Sequence, residues 1–264
     1  MPAPHRFRAL SLDLWFTTLF YEAGDEERWS AARVQVLRDL LRSPDEGPFS
    51  ASQISAALRA TRPEVTAFAR SPDWFEPLQV VQGVAQRLGG QLRADPREVA
   101  RRYSAAGLEE SPPRLNPEVR KVAAGLPGVP LLLISNTGRL GSTWAATIES
   151  LGGPRFSAIV TSCEVGWGKP DRAIFDEASR RIGVPGAEIL HVGDRWDLDV
   201  EGALGAGFGA ALYTGLWDRY PPGTEADPRG GFGGRDPADR HPGVLYLDHL
   251  EELLEGDRFL RGGG

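Results

Sequence analysis

Apolar positions along this chain fall into two rhythms, and the change between them marks its organisation. Residues 7–19 (FRALSLDLWFTTL) are mostly apolar without a helical stripe, a pattern that predicts a strand buried on both faces. Beyond it, residues 25–42 carry Trp29, Val34, Leu37, Leu40 and Leu41 at helical spacing. Ser50 then stands as an N-cap ahead of a helix over residues 51–61. Pro63, Pro72 and Pro77 are expected to cut the following region into short pieces. Val80, Val81, Val84, Ala85 and Leu88 repeat helically and stop at Gly89-Gly90. Asp95-Pro96 opens a further helix with Val99, Tyr103 and Leu108 on one face. Residues 20–112 therefore read as four or five helices without a strand.

From Pro117 onward strands alternate with helices. A short helix over 118–125 precedes 129–135 (VPLLLIS), the clearest buried strand of the chain. Helices over 142–151, 171–182 and 198–206 are then interleaved with strands over 158–162, 188–192 and 209–214. A last strand over 244–248 leads into a terminal helix. Such alternation implies right-handed crossovers and an α/β fold, a doubly wound parallel sheet. The first strand finds its continuation only after the helical stretch. Residues 1–19 and 113–264 are thus expected to form one Rossmannoid core, with 20–112 inserted as an all-helical cap domain over the carboxyl edge of the sheet. Residues 216–242, rich in Gly, Pro, Asp and Arg, read as a long mobile loop too polar to pack, and 261–264 as a frayed tail.

Composition narrows the function classes. A length of 264 residues suffices for a large domain plus a smaller one. The net charge of −6 argues against nucleic acid as a partner, because phosphate backbones want a basic surface. One cysteine, Cys163, excludes an internal disulfide and a thiolate-rich metal site, and fits a reducing compartment. The amino terminus lacks the apolar core of a signal peptide, and no run reaches membrane-spanning length. These features predict a cytoplasmic protein, monomer or homodimer, that acts on a small molecule away from membranes.

Open parallel sheets place ligands outside the carboxyl ends of their strands. Strand by strand, those ends deliver Asp13, then Ser135-Asn136-Thr137-Gly138, then Asp194 with Asp199 five residues on. Lys169, in Gly168-Lys169-Pro170 before a helix start, can reach back over the same edge. Carboxylates converging on one rim repel and call for a cation, and hard oxygen ligands favour Mg²⁺. A lysine and a hydroxyl beside that cation suit a phosphoryl group, which an aspartate can attack. Alone, each piece has a plainer role: Ser135 as a cap, Lys169 as a surface charge, Asp199 as a helix-terminus charge.

Together these residues resemble the haloacid dehalogenase superfamily. An aspartate with a threonine four residues on matches Asp13 and Thr17, and a Ser after an apolar strand matches Ser135. A lysine followed by Pro matches Lys169-Pro170, and GDxxxxD matches Gly193-Asp194 through Asp199. The helical stretch between the first two motifs looks like that family's C1-type cap. The resemblance implies Asp13 as nucleophile and Thr17, Ser135 and the Asn136 amide as holders of the transferred group. It implies Lys169 as charge neutraliser, and Asp13, the Trp15 carbonyl and Asp194 as Mg²⁺ ligands supported by Asp199.

Two positions depart from the pattern. Family phosphatases usually carry an acid–base Asp where this chain has Trp15, and a Gly where it has Phe16. Without a substitute, loss of acid–base help lowers a rate by about 10²–10⁴-fold. The acidic Asp194 favours a Mg²⁺-dependent phosphatase. Trp15 leaves open an L-2-haloacid dehalogenase-like hydrolase, or a non-catalytic protein of the same fold that binds or regulates. Trp74, Phe75, Tyr21 and Glu22 are candidates for the pocket wall.

Overall fold

The computed structural model describes residues 7–43, 47–67, 76–220 and 240–255. Trp74, Phe75, most of the Gly- and Pro-rich loop and the 261–264 tail lie outside the described residues. In chain order the elements begin with β1 (Ala9–Leu12), β2 (Leu19–Phe20), α1 (Asp25–Leu40) and β3 (Leu41–Arg42). They continue with α2 (Ala51–Ala67), α3 (Glu76–Arg87), β4 (Gln91–Leu92), α4 (Pro96–Ala105) and β5 (Arg114–Leu115). Then come α5 (Pro117–Gly125), β6 (Leu131–Ser135), α6 (Gly141–Ser150), β7 (Ala158–Thr161), α7 (Ser162–Val165) and α8 (Arg172–Ile182). The chain closes with β8 (Ile189–Gly193), α9 (Glu201–Gly205), β9 (Gly209–Tyr213) and β10 (Val244–Leu247).

Six strands form one parallel sheet in the order β10-β9-β8-β1-β6-β7. The chain runs outward from β1 through β6 and β7, then returns to β8 on the other side, which makes the β1/β8 boundary the switch point of the sheet. β1 pairs on both flanks, with Leu12 opposite Leu133 and Val192, and its four residues are all buried. Ala9 contributes to one layer, with Ile174 and Phe175 of α8, while Leu10 and Leu12 pack on the other face against Val119 and Val122 of α5. This two-sided burial is why the strand reads as a continuous apolar run.

Helices α1–α4 surround a separate apolar cluster that includes Leu37, Ile54, Val81, Val84 and Val99. The N-caps of α2 and α4 are where the sequence placed them. Ser50 Oγ accepts from the Gln53 N–H at 3.2 Å, and Asp95 accepts from the N–H groups of Arg97 and Glu98 at 3.0 and 3.2 Å. A third cluster, holding Leu14, Phe16, Tyr21, Trp29 and Trp144, joins the helices to the carboxyl edge of the sheet.

Four expectations are corrected. Residues 7–19 are not one strand: β1 ends at Leu12, and the N–H groups of Thr18 and Leu19 fold back onto the Leu14 carbonyl at 3.0 and 2.7 Å. Within this turn Phe16 adopts a φ of 55°, so the turn carries neither the Gly nor the Pro that announces one. The 20–112 segment is not strand-free, because β3 pairs antiparallel with β4 inside it, and β2 with β5 across its two ends. Two-residue ribbons leave no alternation to detect. α2 continues past Pro63 to Ala67, and Pro77 sits in the first turn of α3, where no N–H is needed. The terminal helix is a single 3₁₀ turn, Leu250–Leu254.

Candidate active site

Asp13 follows the last residue of β1, and its N–H donates to the Val192 carbonyl at 2.8 Å. Pairing with β8 thus extends one residue past the strand and stops, leaving the carboxylate on the wall of a cavity of about 350 Å³. The turn behind it is tied by Thr18 Oγ1, which donates to the Asp13 carbonyl at 2.6 Å. Ser135 ends β6, Asp194 follows β8, and both line the same cavity with Lys169. Relative exposures are 7% for Asp13, 5% for Lys169 and 1% for Asp194 and Asp199, so this is a buried, charged site.

Lys169 Nζ donates to Oδ1 of both Asp13 and Asp199. Its backbone is gripped by one side chain: Asn136 Nδ2 donates to the Lys169 carbonyl at 2.8 Å, and the Lys169 N–H donates to Asn136 Oδ1 at 2.7 Å. Asp199 is saturated. Its Oδ1 also meets His191 Nε2 at 3.1 Å, and its Oδ2 accepts from the Arg195 N–H at 3.0 Å. His191 in turn pairs through Nδ1 with Ser11 Oγ at 2.9 Å, completing a buried chain from Ser11 to Asp13. Gly193 permits this approach, since a Cβ there would lie 2.1 Å from Asp199 Cγ.

Asp13, Asp194 and Asp199 each place a carboxylate oxygen within 4.8 Å of the others. Burial, reinforced by Asp199 and opposed by Lys169, pushes the Asp13 carboxyl up to about 6. Burial, with Asp13 and Asp199 adding, lifts Asp194 well above the usual carboxylate range. Burial would raise Asp199 as well, but Lys169 and His191 hold it below that range. For Lys169, burial opposes the charge, and Asp13 and Asp199 overcome it and keep the ammonium firmly protonated. His191, buried, is held below its ordinary value. One ammonium among three carboxylates leaves Asp13 and Asp194 short of positive charge. Their all-oxygen donor set fits a hard divalent cation such as Mg²⁺.

The structure brings Asp13, Trp15, Ser135, Asn136, Lys169, Asp194 and Asp199 to one cavity. Ser135 Oγ is buried and without a hydrogen-bond partner. Thr17 Oγ1 is likewise buried and unpartnered, but Thr17 is not among the lining residues, and its carbonyl accepts from Asn116 Nδ2 at 2.9 Å. The Trp15 ring meets Tyr21 and Trp144 edge-on at 5.1 Å and lies 5.6 Å from Trp29. Tyr21 lines the cavity, whereas Glu22 does not: it is exposed and paired with Arg114 at 3.0 Å.

Several contributors escaped the sequence reading. His191 is hidden inside an apolar strand. Tyr220 stacks on Phe16 with centroids 3.6 Å apart and donates its hydroxyl to Asp194 Oδ2, while Trp217 Nε1 donates to the Asp194 carbonyl at 3.1 Å. Both aromatics lie at the start of residues 216–242, read as a mobile loop too polar to pack, yet this part forms a 3₁₀ turn over Trp217–Arg219. The signal was present in Leu216-Trp217-Asp218-Arg219-Tyr220, an aromatic stretch at the head of a polar segment.

The model of the haloacid dehalogenase-like hydrolase family matches residues 18–207, starting just after Asp13. A glyceraldehyde 3-phosphate phosphatase of Methanothermobacter thermautotrophicus is 44% identical over 101 residues, 38% of this chain and 39% of that protein. The chain therefore spans well under half of that curated relative. Among solved structures, a 2-haloacid dehalogenase from Pseudomonas syringae superposes with a TM-score of 0.57 at 22% identity, over 94% of this chain and 96% of its own. A phosphatase of the same superfamily from Thermococcus onnurineus gives 0.52 at 19% identity, over 95% and 99%. At such identities these two establish likeness of fold. The family match covers well over half of the chain, and the chain belongs to the haloacid dehalogenase-like hydrolases.

Proposed function

We propose that this haloacid dehalogenase-like hydrolase is a Mg²⁺-dependent phosphatase of small phosphorylated metabolites, working through an aspartyl-phosphate on Asp13. The observation that carries this reading is Asp194, a buried carboxylate beside Asp13 that has no ion-pair partner among the described residues. A metal-free hydrolase gains nothing from a second carboxylate beside its nucleophile. Asp13, the Trp15 carbonyl and Asp194 are the proposed Mg²⁺ ligands, with Asp199 supporting them through Lys169. The bound cation supplies charge neutralisation for an incoming phosphate.

An Asp13 carboxylate oxygen attacks phosphorus in line with the ester oxygen. The Asp13–phosphorus linkage forms as the ester bond breaks, and the departing alkoxide leaves with a proton from solvent. Water then attacks the phosphoryl group, restoring Asp13 and releasing phosphate. The Ser135 hydroxyl, unpartnered in the fold, and the Asn136 amide hold phosphoryl oxygens. Lys169 lies against Asp13 and lowers the repulsion between two anions. Residues 20–112 form the cap and 1–19 with 113–264 the core, in a cytoplasmic monomer or homodimer. The phosphatase relative named above supports this substrate class.

A carbon-centred hydrolysis of the 2-haloacid dehalogenase kind is the second reading. It is favoured by Trp15, whose ring packs among aromatics where an acid–base carboxylate would serve a phosphatase. Phosphate release from a panel of phosphate esters, with Mg²⁺ or EDTA, decides between them. Release that needs Mg²⁺ and disappears in Asp13→Asn supports the phosphatase. Turnover that persists after complete metal removal, or halide release from a short 2-halo acid, overturns it.

A further inference from the structure

The end of the cavity built by the helices carries positive charge that the proposed chemistry does not use. Arg33 of α1, Arg62 of α2 and Arg139 of the β6–α6 loop line the same space as Asp13 and Ser135. Two carboxylates, Glu26 and Glu76, act on Arg33, and Glu76 also feels Arg62. Among the described residues neither Arg33 nor Arg139 has a carboxylate within ion-pairing distance. Arg33 Nε is buried without an acceptor, and its guanidinium lies over the Tyr103 ring, 5.4 Å from the centroid. Arg139 is almost wholly buried. It donates to the carbonyls of Ser104 and Ala106 at the end of α4 and sits 5.4 and 5.8 Å from the rings of Trp29 and Trp144. Burial first, and then the like charge of Arg33, pushes Arg139 down to about 9. A buried cation is expensive without an anion, and packing has already fixed these side chains in place.

We propose that Arg33 and Arg139, with Arg62, form an anion subsite in this cavity, so that the substrate is a phosphate monoester bearing a second anionic group, a carboxylate or a second phosphate. The inference rests on the phosphatase reading, and it deepens that reading by naming the substrate class. The cavity combines the matching charges. Carboxylates that suit a cation come from the strand ends, and guanidinium groups that suit an anion come from α1, α2 and the β6–α6 loop. About 350 Å³ holds a three-carbon ester with a charged tail.

The test compares kcat/KM for 3-phosphoglycerate and glycerol 3-phosphate, which share a skeleton and differ in the charge of the far carbon. Propane-1,3-diol bisphosphate against propyl phosphate does the same for a second phosphate, and the arm with the larger ratio identifies the group. A charge-assisted hydrogen bond to Arg33 predicts a preference of about 10- to 100-fold for the anionic ester. Arg33→Gln is expected to bring that ratio close to one, and Arg33→Lys to keep part of it. A role confined to docking the helices would lower both substrates together and leave the ratio intact, which overturns the proposal. So does a wild-type ratio near one in both arms. If no ester turns over, calorimetry of 3-phosphoglycerate with Asp13→Asn separates the two readings. Binding weakened at least tenfold by adding Arg33→Gln sustains the subsite while the phosphatase falls, and absence of such binding overturns the subsite too.

Discussion

Gly193→Ala tests the packing at the centre of the site without reference to any substrate. The new methyl would sit 2.1 Å from Asp199 Cγ and 2.3 Å from its Oδ2. Ordinary contact requires Asp199 to retreat by roughly 1.5 Å. It has nowhere to go, because Lys169, His191 and the Arg195 N–H hold its two oxygens. Overpacking of a rigid core costs about 1–3 kcal/mol, and loosening a buried ion pair adds to it. The combined destabilisation is about 2–4 kcal/mol, a fall in Tm of about 5–15 °C for a chain of this size. Thermal unfolding followed by circular dichroism at pH 7 measures it. Gly205→Ala is the control, since no atom lies within 4 Å of the position its Cβ would take, and it should leave Tm level or slightly raised. A Gly193→Ala melt within 2 °C of the parent would refute the argument that Asp199 is clamped.

Other expectations follow from the same geometry. Burial and crowding lift the Asp13 carboxyl from 3.8 to about 6 and Asp194 upward as well. Mg²⁺ must displace those protons, so its affinity should rise as pH rises through about 6. Each bound proton costs up to tenfold per pH unit below that point, and equal calorimetric affinities at pH 5 and 7.5 would contradict this. Metal-free protein has the opposite slope: between pH 3.8 and about 6 the folded Asp13 holds more proton than the unfolded one, so stability contributed by this group falls as pH rises. Asn136→Ala removes both hydrogen bonds that fix the Lys169 backbone and should cut phosphate-ester kcat/KM by about tenfold or more, with folding largely retained; an undiminished rate would separate Asn136 from Lys169. Trp15→Asp should not supply the missing acid–base group. It replaces a ring packed on Tyr21, Trp29 and Trp144 by a charge, at about 2–4 kcal/mol, and a raised turnover with unchanged Tm would show otherwise.

What could be read from the amino acids alone, and what could not, divides along a physical line. The central sheet was legible because strands buried on both faces leave unbroken apolar runs, as in 131–135, and because parallel pairing forces a helix between successive strands. The residues at the strand ends followed from that topology, since Asp13, Ser135 and Asp194 are charged or polar exactly one step beyond, or at, the last apolar position. The turn at Phe16 was illegible because its left-handed backbone rests on stacking with Tyr220, a residue 204 positions away, rather than on a local glycine. His191 and the arginines of the cavity failed to show for the same reason. Each sits in a segment whose periodicity advertises packing, α1 for Arg33 and β8 for His191, and only the meeting of separate elements converts a core position into a charged one. Chemistry set by strand ends is therefore open to one-dimensional reading. Specificity set by convergence of α1, α2 and the β6–α6 loop is not, and it is that convergence that brings Arg33 to the cavity of Asp13.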